Sequence, residues 1–337
     1  MTRRTRPLSD EDLAPVATLL RGVFGDRAGP RFADPDVLRW KYLESCPAWD
    51  GARAFVVEQD GAVVAFAGFT PTVFLPPGGD SITTLTVIDW AATPTAPGVG
   101  VALYAQLIRR AETAFLIRGA EVMRSVAPRL GFKPIGEITV YACWFRPWRE
   151  FLTREKSLRS LQRLAHGLLH RSPRYRGPGS TWQSERVKRF DARIDTVLGG
   201  RARDRITCRR TVASLNHMLD CPLVRMEGHL LRNGGIVRGY LIVAYIGWEA
   251  RLVDLNIDSE HCADWMAAYG VATDVARVDP QVCRLRVMSG IPVQQQALEL
   301  QKYWVNQREP LLLFDPKKRM PPVPLDIQFF ESDAAFT

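Results

Sequence analysis

Residues 84–111 constrain this chain more than any other stretch, reading in order as a buried strand, a tight glycine–proline loop and an amphipathic helix. Leu85, Val87 and Ile88 are strand formers. Pro94 and Pro97 cannot donate to a sheet ladder, so the strand stops there. Gly98 and Gly100 permit positive φ and close backbone approach. From Val101 the apolar residues fall at Leu103, Tyr104, Leu107, Ile108 and Ala111, which is helical spacing. Such a loop delivers backbone N–H groups to a helix N-terminus, where an anion such as a pyrophosphate binds.

The surrounding pattern extends this into a domain. Ser9, Asp10, Glu11 and Asp12 precede Leu13, Val16, Leu19, Leu20 and Val23, an N-capped amphipathic helix. A second short helix carries Leu38, Trp40 and Tyr42. Strand-like runs at 54–58 and 63–69 flank a turn at Gln59-Asp60-Gly61-Ala62, which predicts a hairpin. The second half of the chain repeats this order. The Leu38…Cys46-Pro47 segment resembles Leu215…Cys221-Pro222, the 57–66 hairpin resembles 231–240, and Val87-Ile88-Asp89-Trp90 resembles Leu252-Val253-Asp254-Leu255. Three matches in one order argue for duplication. Segments 284–288 and 310–314 read as closing strands.

The loop Thr95-Ala96-Pro97-Gly98-Val99-Gly100 resembles the acyl-CoA pyrophosphate loop of the GNAT N-acyltransferases, whose pattern is Gln/Arg-x-x-Gly-x-Gly/Ala after the fourth strand. The two glycines match, Thr95 replaces the usual Gln or Arg, and Pro97 removes one N–H donor. Arg129-Leu130-Gly131-Phe132 is similar to the family's Leu-Gly-Phe, which ends the next helix and opens a strand. The resemblance implies an α/β (α+β) fold of two tandem GNAT-like domains, each a mixed, mostly antiparallel sheet flanked by helices. The expected division is 1–146 for an acyl-CoA-binding domain, 147–185 for a basic helix and linker, and 186–337 for a degenerate copy. That copy has no glycine before its helix and carries Asp254, Asp258, Glu260 and Asp264, which disfavour an anion.

Function follows from the resemblance as an expectation: transfer of an acyl group from acetyl-CoA or another acyl-CoA to a small-molecule or glycan amine. Thr95, Gly98, Val99, Gly100 and Val101 would hold the cofactor, with Arg124 after a fifth strand at 120–123. Asp89 is the candidate general base, because the family often places a carboxylate on this strand; its retention as Asp254 in the copy without the loop equally suits a structural carboxylate. Tyr141 and Tyr104 are candidate proton donors, since Ala127 stands where the family often has a Tyr. Trp40 and Tyr42 would form the acceptor wall, or pack on the sheet. His217 falls in the repeat of that helix, opposite Trp40. Glu121 and Glu137 read as surface charges. An inactive GNAT-fold binding module and an acyltransferase of envelope or polysaccharide assembly are the alternatives.

Charge is uneven: residues 146–210 hold 18 Lys/Arg against 6 Asp/Glu, while the rest of the chain holds 27 against 30. Within 151–170, Leu158, Leu161, Leu164, Ala165 and Leu168 share one helical face, and Arg154, Lys156, Arg159 and Arg163 fill much of the remainder. Two roles fit: peripheral contact with an anionic membrane, or a helix packed by its leucines on the core, the reading favoured by its ordinary amphipathicity. Residues 171–184 read as a loop or linker, and no specific nucleic-acid motif accompanies the charge. Six scattered cysteines form no CxxC pair and have no metal-ligand spacing with His, so no metal is expected and free thiols in a reducing cytoplasm are.

Overall fold

The computed structural model describes residues 3–25, 31–117, 121–153, 157–169, 181–200, 202 and 204–336. The first half runs β1 (Arg3–Pro7), α1 (Leu13–Phe24), α2 (Pro35–Tyr42), β2 (Ala54–Gln59), β3 (Ala62–Leu75), β4 (Ile82–Ala92), α3 (Val99–Leu107), β5 (Thr113–Ile117), α4 (Glu121–Val126) and β6 (Lys133–Trp144). Helices α5 (Pro147–Thr153) and α6 (Leu158–Leu169) follow. The second half runs β7 (Trp182–Val187), α7 (Asp195–Leu198), β8 (Thr207–Cys208), α8 (Val212–Leu219), β9 (Arg225–Asn233), β10 (Ile236–Ile246), β11 (Glu249–Ile257), α9 (Cys262–Val278), β12 (Arg284–Ser289), α10 (Pro292–Leu300) and β13 (Trp304–Phe314).

Local chemistry sets these boundaries. Asp34 caps α2 by accepting from the Asp36 amide, and Pro35 supplies the first helical φ. Thr211 and Ser214 form a capping box at α8. Asp60 and Gly61, both at positive φ, turn β2 into β3. Gly131, at φ 94°, ends the turn Ala127–Leu130 and releases Phe132 toward β6.

All the described strands join one sheet, in the order β1-β2-β3-β4-β5-β13-β6-β12-β11-β10-β9-β7, with β8 paired to β3. The order is nearly symmetric about its middle. In each half a hairpin leads to a strand (β4, β11) that pairs in parallel with the next (β5, β12). Each half then receives its next strand from the other: β13 pairs with β5, and β6 with β12. β6 and β13 also pair with each other, from Ala142–Trp304 to Lys133–Leu313.

Alternation along β6 divides its side chains between two cores. Ile138 and Val140 enter a core shared by both halves, with Trp40, Phe74 and Phe115 from the first and Leu230, Tyr240 and Phe329 from the second. Tyr141 and Cys143 enter the core beneath α9. The first half buries its own layer between α3 and the sheet, around Leu85, Val87, Leu103 and Phe132.

Three expectations need correction. The fifth strand is residues Thr113–Ile117, not 120–123; residues 121–126 form α4, because α3 ends at Leu107 and leaves an apolar run free to become the strand. Helix 151–170 is two helices, α5 and α6, and residues 154–156 and 170–180 lie outside the described residues. Of the leucine face of α6, Leu164 alone among the leucines packs inward. The helix docks by Ser160, Leu164 and Gly167, where a Cβ on Gly167 would stand 2.6 Å from Pro147 Cβ and 3.1 Å from Trp144 Cγ. Leu158, Leu161, Leu168 and Leu169 face outward.

Exchange of β6 and β13 ties the halves into one folding unit. Thermal unfolding followed by calorimetry and by tryptophan fluorescence should give one coincident transition; two resolved transitions would show that the halves unfold separately.

Candidate active site

Strand β4 carries a bulge at the middle of the first half. Phe66 faces Ala91 and Gly68 faces Ile88, so Asp89 and Trp90 together oppose Ala67. Asp89 sits at φ 53°, the left-handed region that Asp tolerates better than most residues. Beyond the bulge the chain reaches Gly98, at φ 78°, which starts α3. β4 and β5 pair only at Thr84–Thr113 and Leu85–Ala114 and then part, so the bulge stands beside a gap between parallel strands.

The two loop glycines have different jobs. A Cβ on Gly98 would meet nothing within 4 Å, so this position is open to an approaching group. A Cβ on Gly100 would stand 2.9 Å from Ala92 Cβ and 3.1 Å from Trp90 Nε1. Gly100 therefore serves close packing of α3 on β4, and its carbonyl accepts from the Trp90 indole at 2.8 Å. Val99 donates its amide to Ala96 at 3.3 Å, and Thr95 shares a 3.1 Å hydroxyl contact with Thr93. Val101 lies in the first turn of α3. Arg124 lies on α4, and its side chain is outside the described residues.

Asp89 is not an open base. Its Oδ2 accepts from Lys41 Nζ at 2.5 Å and from Tyr42 Oη at 2.6 Å, with side chains of Asp89 and Lys41 only 1 % and 2 % exposed. The carboxylate is neutralised by a buried ammonium and anchors α2 to the bulge. Burial, then the Asp89 charge, pushes the Tyr42 hydroxyl well above its ordinary value, so it stays a donor. Tyr42 also fills the space over Gly68, where a Cβ would overlap its ring.

Trp40 turns the other way, to the boundary between halves. Its ring stacks on His217 at 5.2 Å and 17°, and its indole donates to the His217 carbonyl at 3.2 Å. Each is the sixth residue of its helix, α2 and α8, so the two copies meet at equivalent positions. Burial, aided by Arg53, lowers the His217 imidazole to about 4, which keeps it neutral at pH 7. A cavity of about 80 Å³ lies here, lined by Trp40, Lys41, Arg53, Ile88, His217 and Phe336.

Tyr141 is misplaced for a proton donor in this half. The strand exchange turns it into the second half's core, where its hydroxyl donates to Glu299 at 3.1 Å. Tyr104 lies against Trp90, buried, and its hydroxyl has no hydrogen-bond partner among the described residues. Ala127 is fully buried and Glu137 is exposed; the Glu121 side chain is outside the described residues.

The second half repeats the buried carboxylate with a different cation. Asp254 accepts from Arg210 Nε at 2.9 Å, Arg210 Nη2 at 3.1 Å and Tyr240 Oη at 2.8 Å. Burial alone would lower the Arg210 guanidinium, but Asp254 and Glu331 hold it charged. A bulge lies here too, at Val253, between the Ile242–Asp254 and Val243–Leu252 pairs. The pairing of each Asp with Lys41 or Arg210 had no sequence signal beyond a cation within a helical turn or just before one.

No family model matches the chain, and no curated protein matches it in sequence. Its fold is nevertheless that of the GNAT acyltransferases. A GCN5-related N-acetyltransferase from Anabaena variabilis superposes with TM-score 0.58 at 14 % identity, over 93 % of this chain and 73 % of that one. A tandem GNAT protein from the clavulanic acid biosynthesis pathway superposes with TM-score 0.59 at 15 % identity, over 93 % and 98 %. Saccharomyces cerevisiae N-myristoyltransferase, solved with myristoyl-CoA and inhibitors, gives 0.61 at 11 %, over 93 % and 80 %. The chain thus has the tandem GNAT architecture, two copies of the fold in one sheet.

Removing the cation should expose the anchoring role of Asp89. Lys41→Met leaves a buried carboxylate uncompensated and should cost about 3–5 kcal/mol in urea unfolding. Adding Asp89→Asn should restore much of it; no recovery would mean that Lys41 acts by packing alone.

Proposed function

We propose that this protein is an acyl-CoA-dependent N-acyltransferase whose first half holds the cofactor. The observation that carries this reading is the bulge of β4 beside the β4–β5 gap, followed by Gly98 with open space at the start of α3. Acyl transfer to an amine asks little of side chains. The thioester carbonyl needs a backbone N–H, the amine must arrive neutral, and the thiolate leaves readily near neutral pH. Backbone at the bulge and at α3 suits those needs without Tyr141 or a free Asp89. Thr95, Gly98, Val99 and Val101 are the proposed cofactor contacts, with Gly100 shaping the turn and Arg124 following on α4. The acceptor is proposed to be a small-molecule or glycan amine, and acetyl-CoA the first donor to try.

Gly98→Asp adds a negative charge where the pyrophosphate would lie, in a position with room for it; Gly98→Asn adds the same bulk without charge. By calorimetry, acetyl-CoA or a longer acyl-CoA should bind about tenfold or more weakly to the Asp variant than to the Asn variant. Equal affinities would remove the cofactor from this loop. Binding without thiol release across an amine panel would favour a GNAT-shaped binding module.

A second reading concerns location, and the outward leucines of α6 favour it. Leu158, Leu169 and Leu152 are 81 %, 78 % and 72 % exposed, and Trp148 on α5 joins them. Arg149, Arg163 and the basic residues up to Arg176 flank this face in sequence. Apolar side chains beside cations suit the surface of an anionic bilayer, as a role in envelope assembly would need; among the described residues no helix is long and apolar enough to cross one. The protein should sediment with phosphatidylglycerol-containing vesicles and not with pure phosphatidylcholine. Leu158→Ser with Leu169→Ser should reduce partitioning about tenfold or more. Unchanged partitioning, or none in the wild type, would end this reading.

A further inference from the structure

Five cationic side chains are buried among the described residues: Lys41, Arg53, Arg205, Arg210 and Arg284. Four of them meet a carboxylate, Lys41 at Asp89, Arg205 at Glu260, Arg210 at Asp254 and Arg284 at Glu249. Arg53, just ahead of β2 and 5 % exposed, does not. Its Nη2 donates to the Glu44 carbonyl at 2.5 Å. Among the described residues, Nε and Nη1 have no hydrogen-bond partner, and no carboxylate lies within ion-pair reach of the guanidinium. Both nitrogens keep accessible surface. Nη2 uses one of its two hydrogens on Glu44, so one two-pronged edge of the planar fork remains whole. Burial lowers the Arg53 guanidinium, with Cys46, Tyr42 and Glu44 opposing.

Arg53 lines the cavity of about 80 Å³ between α2 and α8. Trp40, Ile88, Met218 and Phe336 give it apolar walls, and no Asp or Glu stands among the described residues that line it. Lys41 also reaches this wall, but its ammonium is closed by Asp89. His217 lies near enough to Arg53 for the guanidinium to help keep its imidazole neutral, so the ring adds no charge. The free charge of the cavity is therefore positive and sits against apolar surface. Buried charges are ordinarily paired, and a pairing left open inside the protein favours an anion from outside it. At the space one water needs, about 80 Å³ suits roughly five to eight non-hydrogen atoms.

We infer that this cavity binds the carboxylate of a small aliphatic acid, and that the acceptor amine is an amino acid of that size. The carboxylate would accept from the free edge of Arg53, and the short carbon chain would lie on Trp40 and Phe336. Ile88, on the same wall, is the residue before the Asp89 bulge, so the bound molecule lies beside the strand proposed to receive the thioester. The amine assignment rests on that acyl-transfer reading; the carboxylate site does not.

Calorimetric titration of the full chain without acyl-CoA tests the site by itself. Butyrate and L-alanine carry the carboxylate, one without an amine and one with it. Butyramide and L-alaninamide match them in size and lack the charge. At least one acid should bind, with its amide about tenfold or more weaker. Arg53→Met should weaken that acid by a similar factor. If Arg53→Met fails to fold, Ala48→Phe supplies the second reading: Ala48 is half-buried on the cavity wall, and a ring there fills the space without changing charge. No binding of either acid, equal binding of the amide, or full affinity in a folded Arg53→Met or Ala48→Phe variant would overturn the site. Thiol release from acetyl-CoA, measured separately, should occur with L-alanine and fall about tenfold or more with L-alaninamide. Equal release from the two would overturn the amino-acid acceptor. Acid binding with no thiol release from any acyl-CoA would count against acyl transfer and uphold the carboxylate site.

Discussion

The pairing of β6 with β13 is the contact on which the rest of the molecule depends. Each strand belongs by sequence to one half and completes the sheet of the other. Because side chains alternate along a strand, β6 gives Ile138 and Val140 to the shared core and Tyr141 and Cys143 to the core under α9. The same alternation decides chemistry. A hydroxyl committed to Glu299 in the second half is not available to a reaction at the Gly98 loop.

The two halves solve one electrostatic problem twice. Each buries an aspartate at or beside a bulge in the strand that precedes its long crossover helix, and each meets it with a cation and a tyrosine. The first uses Lys41 on α2, a compact ammonium held between Asp89 and aromatic rings. The second uses Arg210 ahead of α8, whose planar fork reaches both Asp254 oxygens and lies over Phe330. The carboxylate has stayed where the architecture needs it, while the loop beyond has diverged: open at Gly98 in one half, acidic from Asp258 to Asp264 in the other.

Much of this was legible because it is local. The 59–62 turn, the cap before α1, the stop at Pro94 and Gly98, and the Leu130-Gly131-Phe132 exit each carry their own signal within a few residues. The duplication was legible as three such signals in one order. Strand exchange was not, because nothing within β6 or β13 names a partner far away in sequence. β1, with its run Arg3-Arg4-Thr5-Arg6-Pro7, hides as an exposed edge strand lacking alternation. Leucine spacing in α6 identified an amphipathic helix but not which side meets the protein. Lys41 was visible in the helix; its burial against Asp89 runs against the ordinary preference of lysine for water.

The order of synthesis gives the strand exchange a cost in time. β5 ends at Ile117, and the strand that covers its edge begins at Trp304. During translation the first half therefore waits with an unpaired, apolar edge, Thr113-Ala-Phe-Leu-Ile, until nearly all of the second half has left the ribosome. β6, already made, waits for both β12 and β13. A nascent chain in this state offers two open ladders to any neighbouring chain, so its yield in the cell is governed by how quickly β13 arrives and by whatever shields the edge meanwhile.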